Sequence, residues 1–156
     1  MFLEITDGNP PTSLPAIEEF EQSHGLSLPG SYKEFLLQAN GGRPLTATFP
    51  IKGLALNPFG KVHFFFGIGA QLPVYDLVKT FDWFRHRIPA GIVPIACTAG
   101  SDYICLDLRE EQSKVVYWDH RPFWGTGIWR EEDLYQVADS FDEFVAALRS
   151  GPYEPA

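Results

Sequence analysis

A chain of 156 residues, 45% apolar and holding 13 Phe, 6 Tyr and 4 Trp, can build one domain core without disulfide or metal staples. Its formal net charge is −8 and unevenly spread: residues 1–100 carry 8 acids and 7 bases, residues 101–156 carry 12 acids and 5 bases. Such a field repels nucleic acid and anionic lipid and favours a basic protein partner. No apolar run approaches the roughly 20 residues of a membrane span, and the start, Met1 to Asp7, lacks a basic segment followed by an apolar one, so a cytoplasmic chain is expected.

Residues 1–13, with Asn9-Pro10-Pro11, read as a loosely held arm ahead of one domain over 14–150 and a tail at 151–156. A first helix is expected from Leu14 to His24. Ser13 or Thr12 caps it, Pro15 is tolerated in its first turn, and Gly25 closes it. Ile17 and Phe20 then face inward, with Glu18, Glu19 and Glu21 in solvent. A second helix follows, written between Pro29 in its first turn and Gly41-Gly42 at its end. Tyr32, Phe35, Leu36 and Ala39 fall at i, i+3, i+4 and i+7, one apolar stripe.

Two short strands are expected at Thr46 to Phe49 and Val62 to Phe66. Phe64-Phe65-Phe66 does not alternate, so that strand should be covered on both faces. Gly67-Ile68-Gly69 is too short for a dinucleotide loop. Asp76 to His86 reads as a helix, with Leu77, Phe81, Phe84 and Ile88 on one face.

A three-strand meander should follow: Ile92 to Cys97, Tyr103 to Leu108, and Lys114 to Asp119. With Leu108 opposite Lys114, Ile104, Leu106, Leu108, Val116 and Trp118 share a core face. Tyr103, Cys105, Asp107, Val115, Tyr117 and Asp119 share the other, which is open in this reading. Cys97, opposite Ile104, and Cys105 then point to opposite faces and stay free thiols. The Gly-rich, aromatic stretch Pro122 to Trp129 reads as an irregular loop, and Glu131-Glu132-Asp133 as a solvated face or a helix start. In the last helix Ser140 and Glu143 form a capping box. Phe141, Phe144, Val145 and Leu148 make the buried stripe, and Gly151-Pro152 end it.

Chemistry is sparse. His24, His63, His86 and His120 are scattered without metal-ligand spacing, and no CxxC is present, so neither metal nor cofactor is expected. Ser101 lacks the G-x-S-x-G setting of a nucleophile. Asp102 and Asp119 read as turn and loop residues; only their convergence with Asp107 around one end of the meander would suggest a small metal-dependent hydrolase. Trp124 and Trp129 admit two readings: core burial, the commoner fate of large aromatics, or interface anchors, for which their glycine and acid neighbours argue.

Four blocks, in order, resemble the SUKH superfamily. They are Leu28-Pro29 through Tyr32-Lys33-Glu34-Phe35-Leu36-Leu37 to Asn40-Gly41-Gly42; Gly100 to Leu108, like the family's G-D-Y-I-C-L-D strand; Val115 to His120, like V-Y-x-W-D-H; and Ser140 to Phe144, like the terminal S-F-x-E-F helix. Ser101 stands where a second Gly is frequent, a mild departure. The resemblance implies a single α+β domain, a mainly antiparallel sheet flanked by helices. It also implies a protein that works by binding, since bacterial members often neutralise a cognate toxin, frequently a nuclease, while fungal members act as regulatory scaffolds.

The resulting expectation is a non-catalytic immunity protein that occludes a basic toxin domain. Its contact surface would comprise Asp102, Tyr103, Asp107, Tyr117 and Asp119 on the open meander face, with Trp124 and Trp129 beside them. The acids would mimic phosphate and the aromatics would anchor. The alternative is an intracellular scaffold module.

Overall fold

In the computed structural model, residues 3–54 and 58–150 are described. Helix α1 spans Leu14–His24 as its punctuation dictates. The Ala16 N–H donates to Ser13 Oγ at 3.3 Å, and Gly25 closes the helix with φ of 64°. Glu21 departs from expectation: it is buried, because its carboxylate accepts the Leu28 N–H at 2.8 Å in the link to the next helix and faces Lys33 at 3.5 Å. Helix α2, Gly30–Ala39, starts from Pro29 as its cap rather than in its first turn, and ends on Asn40, whose φ is 45°.

Asn40 then ties three segments together. Its amide donates to the carbonyls of Pro10 and Ile68 and accepts the Ile68 N–H, all within 2.9 Å. Gly41 follows at φ 81°, where a Cβ would lie 2.5 Å from the Phe65 carbonyl oxygen, so only glycine fits. The arm is held more firmly than expected. Strand β1 (Ile5–Thr6) pairs antiparallel with β2 (Arg43–Pro44), and Asn9 donates to the Asn40 carbonyl at 2.9 Å.

The fold is α+β: among the described residues, five helices and a six-strand antiparallel sheet that curls into a nearly closed, barrel-like form. Its strands run in chain order: β3 (Thr48–Pro50), β4 (Phe59–Phe65), β5 (Ile92–Thr98), β6 (Tyr103–Asp107), β7 (Lys114–Trp118) and β8 (Leu134–Ala138). Strand β8 is an addition to the expected meander. The triple Phe is covered on both sides, Phe64 stacking on Tyr75 at 4.0 Å and Phe65 meeting Phe35 at 5.0 Å.

Helix α3, Leu77–Phe84, begins at Asp76, whose carboxylate accepts the Lys79, Gly69 and Ala70 N–H groups at 2.9 Å each. The residues expected to form an irregular loop instead open with α4, Arg121–Thr126. Pro122 suits its first turn, the Thr126 hydroxyl back-bonds to the Pro122 carbonyl, and Gly127 closes it at φ 70°. Helix α5, Phe141–Ala147, starts from Ser140, and Glu143 reaches back to the Asp139 N–H. It stops before the expected Gly151-Pro152, which lie outside the described residues, as does the tail. Among the described residues no helix is long and apolar enough to cross a membrane.

The main core lies on the sheet face covered by α1, α2 and α5 and gathers Ile17, Tyr32, Phe35, Ile104, Leu106, Val115, Tyr117 and Phe141. A second, smaller cluster lies on the other face: Phe84, Ile88, Ile92, Cys105, Val116, Trp118 and Phe123. Helix α3 serves both, giving Leu77 and Phe81 to the first and Phe84 to the second.

Candidate functional site

The β6–β7 register decides where the predicted site residues go. Asp107, not Leu108, stands opposite Lys114, so Tyr103 pairs with Trp118, Ile104 with Tyr117 and Leu106 with Val115. Strand β6 keeps its expected faces, but β7 is turned over: Val115 and Tyr117 face the main core, and Val116 and Trp118 the second cluster. A one-residue slip inverts a strand, and four consecutive large apolar residues at 115–118 carry no alternation to prevent the misreading. The cysteines remain free, but not on opposite faces. A bulge between Pro94 and Ala96 sets Cys97 opposite Tyr103, two residues before Cys105 on the same strand, so the register puts both thiols on one face.

No open acidic face results. Asp102, Tyr117 and Asp119 are buried. Asp102 accepts the Tyr117 hydroxyl in a short hydrogen bond and the His120 N–H at 2.7 Å, while its own N–H donates to Thr98 Oγ1. Burial raises the Asp102 carboxyl above the usual range despite those donors, and lifts the Tyr117 phenol as well. Asp119 is gripped by Arg121 through Nε and Nη2 at 2.9 Å each, which lowers its pKa. Asp107 lies at the far end of β6 from Asp102, so the three carboxylates do not converge on one end of the meander. Arg109 bridges Asp107 to Glu131, and although burial pushes Asp107 up, the guanidinium brings it below the usual carboxylate range. Arg130 likewise clamps the buried Asp133 at 2.6 Å. Five of the twelve acids of the final third, Asp107, Asp119, Glu131, Glu132 and Asp133, are held by arginines and Asp102 is buried, so the acids expected on the meander face do not form an exposed negative surface.

The remaining three predicted residues do share a neighbourhood. Tyr103, Trp124 and Trp129 surround the second cluster, all within reach of Trp118 and His120. The Tyr103 and Trp124 rings lie 5.0 and 5.1 Å from the His120 ring, and Trp129 lies 5.1 Å from Trp118. Burial pushes the Tyr103 phenol to about 12. His120, only 3% exposed, is also ringed by Phe84 and by Phe123, which stacks on it at 5.1 Å. Neither of its ring nitrogens, nor Trp118 Nε1, has a hydrogen-bond partner among the described residues, and burial lowers its pKa to about 4.

Over this cluster the apolar surface breaks into solvent. Trp124 is 73% exposed and Ile128 64%. On α3, Trp83 is 60% exposed and Val74, in the 3-10 turn Pro73–Tyr75 ahead of the helix, 68%. Between α3 and β6 runs an open groove of about 330 Å³, with Phe84 and Tyr103 at its base, Pro73, Val74, Thr80 and Trp83 along its sides, and Lys79 on the rim. Sequence reasoning passed over Trp83, yet the signal was present. Leu77, Phe81, Phe84 and Ile88 already fill the buried stripe of α3, so a Trp at position 83 is a large aromatic on the solvent side of an amphipathic helix. Exposed apolar side chains grouped along a groove, as Val74 and Trp83 are, mark interaction sites more often than chance.

Among the described residues, no three His, Cys, Asp or Glu side chains are grouped to hold a metal ion. The buried polar network around Asp102 is closed on itself and touches the main core through Tyr117, a structural arrangement.

Residues 11–147 match the SMI1 / KNR4 family (SUKH-1). The chain belongs to that family. The family includes immunity proteins. The SPbeta prophage-derived uncharacterized protein YokK of Bacillus subtilis (strain 168) is 30% identical over 153 residues, covering 88% of this chain and 75% of that protein.

Proposed function

We propose that this SUKH-1 chain is a non-catalytic immunity protein that neutralises a toxin domain by docking on it. The observation that carries the reading is the exposure of large apolar side chains, Val74 and Trp83 along the groove between α3 and β6, and Trp124 and Ile128 at α4, where Trp124 rests on His120 of the buried aromatic cluster. Trp and Tyr dominate binding hot spots because they bury much area at small conformational cost, and rigid support lowers that cost further. The net charge of −8 supports a partner that is basic as a whole, since long-range attraction speeds encounter. Of the residues expected to make contact, Trp124, Tyr103 and Trp129 belong to this face. Asp102, Tyr117 and Asp119 act beneath it by fixing the end of the sheet.

The test is co-expression with the toxin encoded beside the gene, scoring growth and co-purification. Wild-type chain restores growth and is recovered with the toxin, while Trp83→Ala/Trp124→Ala does neither although it stays folded. Full protection by that double variant would refute the docking face, and absence of any rescue by the wild type would refute the immunity role.

A further inference from the structure

The groove beside Trp83 has an electrostatic character opposite to that of the whole chain. Lys79, Trp83 and Arg87 recur every four residues along α3 and its C-terminal turn, so they form one stripe. The Arg87 guanidinium carbon sits 4.2 Å from the centre of the Trp83 ring, extending the aromatic surface while keeping its charge available. Most other arginines are engaged, Arg43 with Asp7, Arg85 with Asp82, Arg109 with Asp107 and Glu131, Arg121 with Asp119, Arg130 with Glu132 and Asp133, while Lys52, Lys61 and Arg149 stand, like the groove cations, without an ion pair to a described carboxylate. Lys79 and Arg87 make no ion pair with any described carboxylate, and no carboxylate lines the groove.

We infer that the groove between α3 and β6 seats an apolar, acidic segment of the partner protein, with an aromatic or branched aliphatic side chain between Trp83 and Tyr103 and carboxylates on Lys79 and Arg87. The inference rests on the docking role proposed above and names the chemistry of the element that seats there. A volume of about 330 Å³ is at the lower end of ligand pockets, enough for one or two side chains and not for a folded element. The apolar lining supplies the anchor. The two cations on one edge reject a lysine or arginine in the same position by placing like charges together. Overall charge and local charge then act at different stages: the acidic chain draws a basic domain from a distance, and the cationic stripe selects the acidic element of that domain that fits.

The experiment uses the full chain and two short fluorescein-labelled peptides with identical Leu, Phe and Trp positions. One carries Asp and Glu between them and the other carries Lys. Fluorescence anisotropy is followed at low and high salt. The acidic peptide should bind more tightly, by about tenfold at low salt, with the gap closing as salt is added. Trp83→Ala should abolish binding of both, and Lys79→Glu/Arg87→Glu should invert the preference. Because all three side chains are exposed, far-UV circular dichroism and urea midpoints close to wild type confirm that the variants fold. Trp83-dependent binding that favours the Lys peptide would overturn this inference while leaving the docking face standing. Binding indifferent to Trp83→Ala, or none by either peptide, would remove the face and this inference with it.

Discussion

His120→Phe should flatten the acid limb of the protein's stability curve. The imidazole is 3% exposed, packed among Phe84, Tyr103, Trp118, Phe123 and Trp124, and neither nitrogen has a partner to share a second proton. Its pKa falls from 6.5 to about 4, burial being the dominant cause and Asp119 pulling weakly the other way. In the unfolded chain the same ring takes up its proton near pH 6.5. Between those values the unfolded state binds more protons, so stability is present above pH 6.5 and is lost as the pH falls toward 4. At 1.36 kcal/mol per unit, the loss amounts to about 3 kcal/mol at most. Asp102 works in the opposite sense. Its raised carboxyl holds a proton in the fold that the unfolded chain releases down to pH 3.8, so it returns some stability over an overlapping range. Urea unfolding followed by tryptophan fluorescence at several pH values between 7.5 and 4.5 measures the slope. Phe is larger than His, so the variant carries an overpacking cost of about 1–3 kcal/mol that does not depend on pH; the slope, not the offset, is the readout. Parallel curves for wild type and His120→Phe would refute the argument, and a steeper acid loss in Asp102→Asn than in wild type would confirm the sign given to the aspartate.

Tyr117→Phe leaves the buried Asp102 carboxylate without its hydroxyl donor, and should cost about 1–3 kcal/mol in urea unfolding. Asp102→Asn in the same background should cost much less than it does alone, and strict additivity of the two would contradict the pairing. Asn40→Ala removes three buried hydrogen bonds and leaves a Cβ residue in the left-handed region. A loss of about 3 kcal/mol or more is expected, with Asn40→Gly relieving only the backbone part. Trp83→Ala and Trp124→Ala should shift stability by less than about 0.5–1 kcal/mol, since both rings stand in solvent; a large loss would mean that they serve the fold and not a partner.

Much of the helical framework was readable from the chain. Ser13, Gly25 and Ser140 are local signals whose physics is complete within a few residues, so α1 and the start of α5 fall where the caps put them. The Leu28–Gly42 block was legible as a helix, but the role of Asn40 was not, because its partners Pro10 and Ile68 are distant in sequence. Strand β7 was found and then turned over, as both of its faces are apolar. Strand β8 was missed because the acids at 131–133 read as solvated, whereas Arg130 and Arg109 draw two of them into the structure. The same arginines undid the acidic site: charge totals ignore pairing. Trp124, for which burial was the commoner expectation, is exposed, and Trp83, unremarked in a sequence reading built on buried stripes, is a second exposed tryptophan on α3.

Whether this chain acts by occupancy, as proposed, is decided by titrating it into the product of the adjacent reading frame, the proposed toxin, and following that protein's activity. Docking predicts a linear loss that reaches its floor at one equivalent and does not deepen with incubation time. Inactivation by a small fraction of an equivalent, growing steadily with time, would mean turnover and would contradict the account.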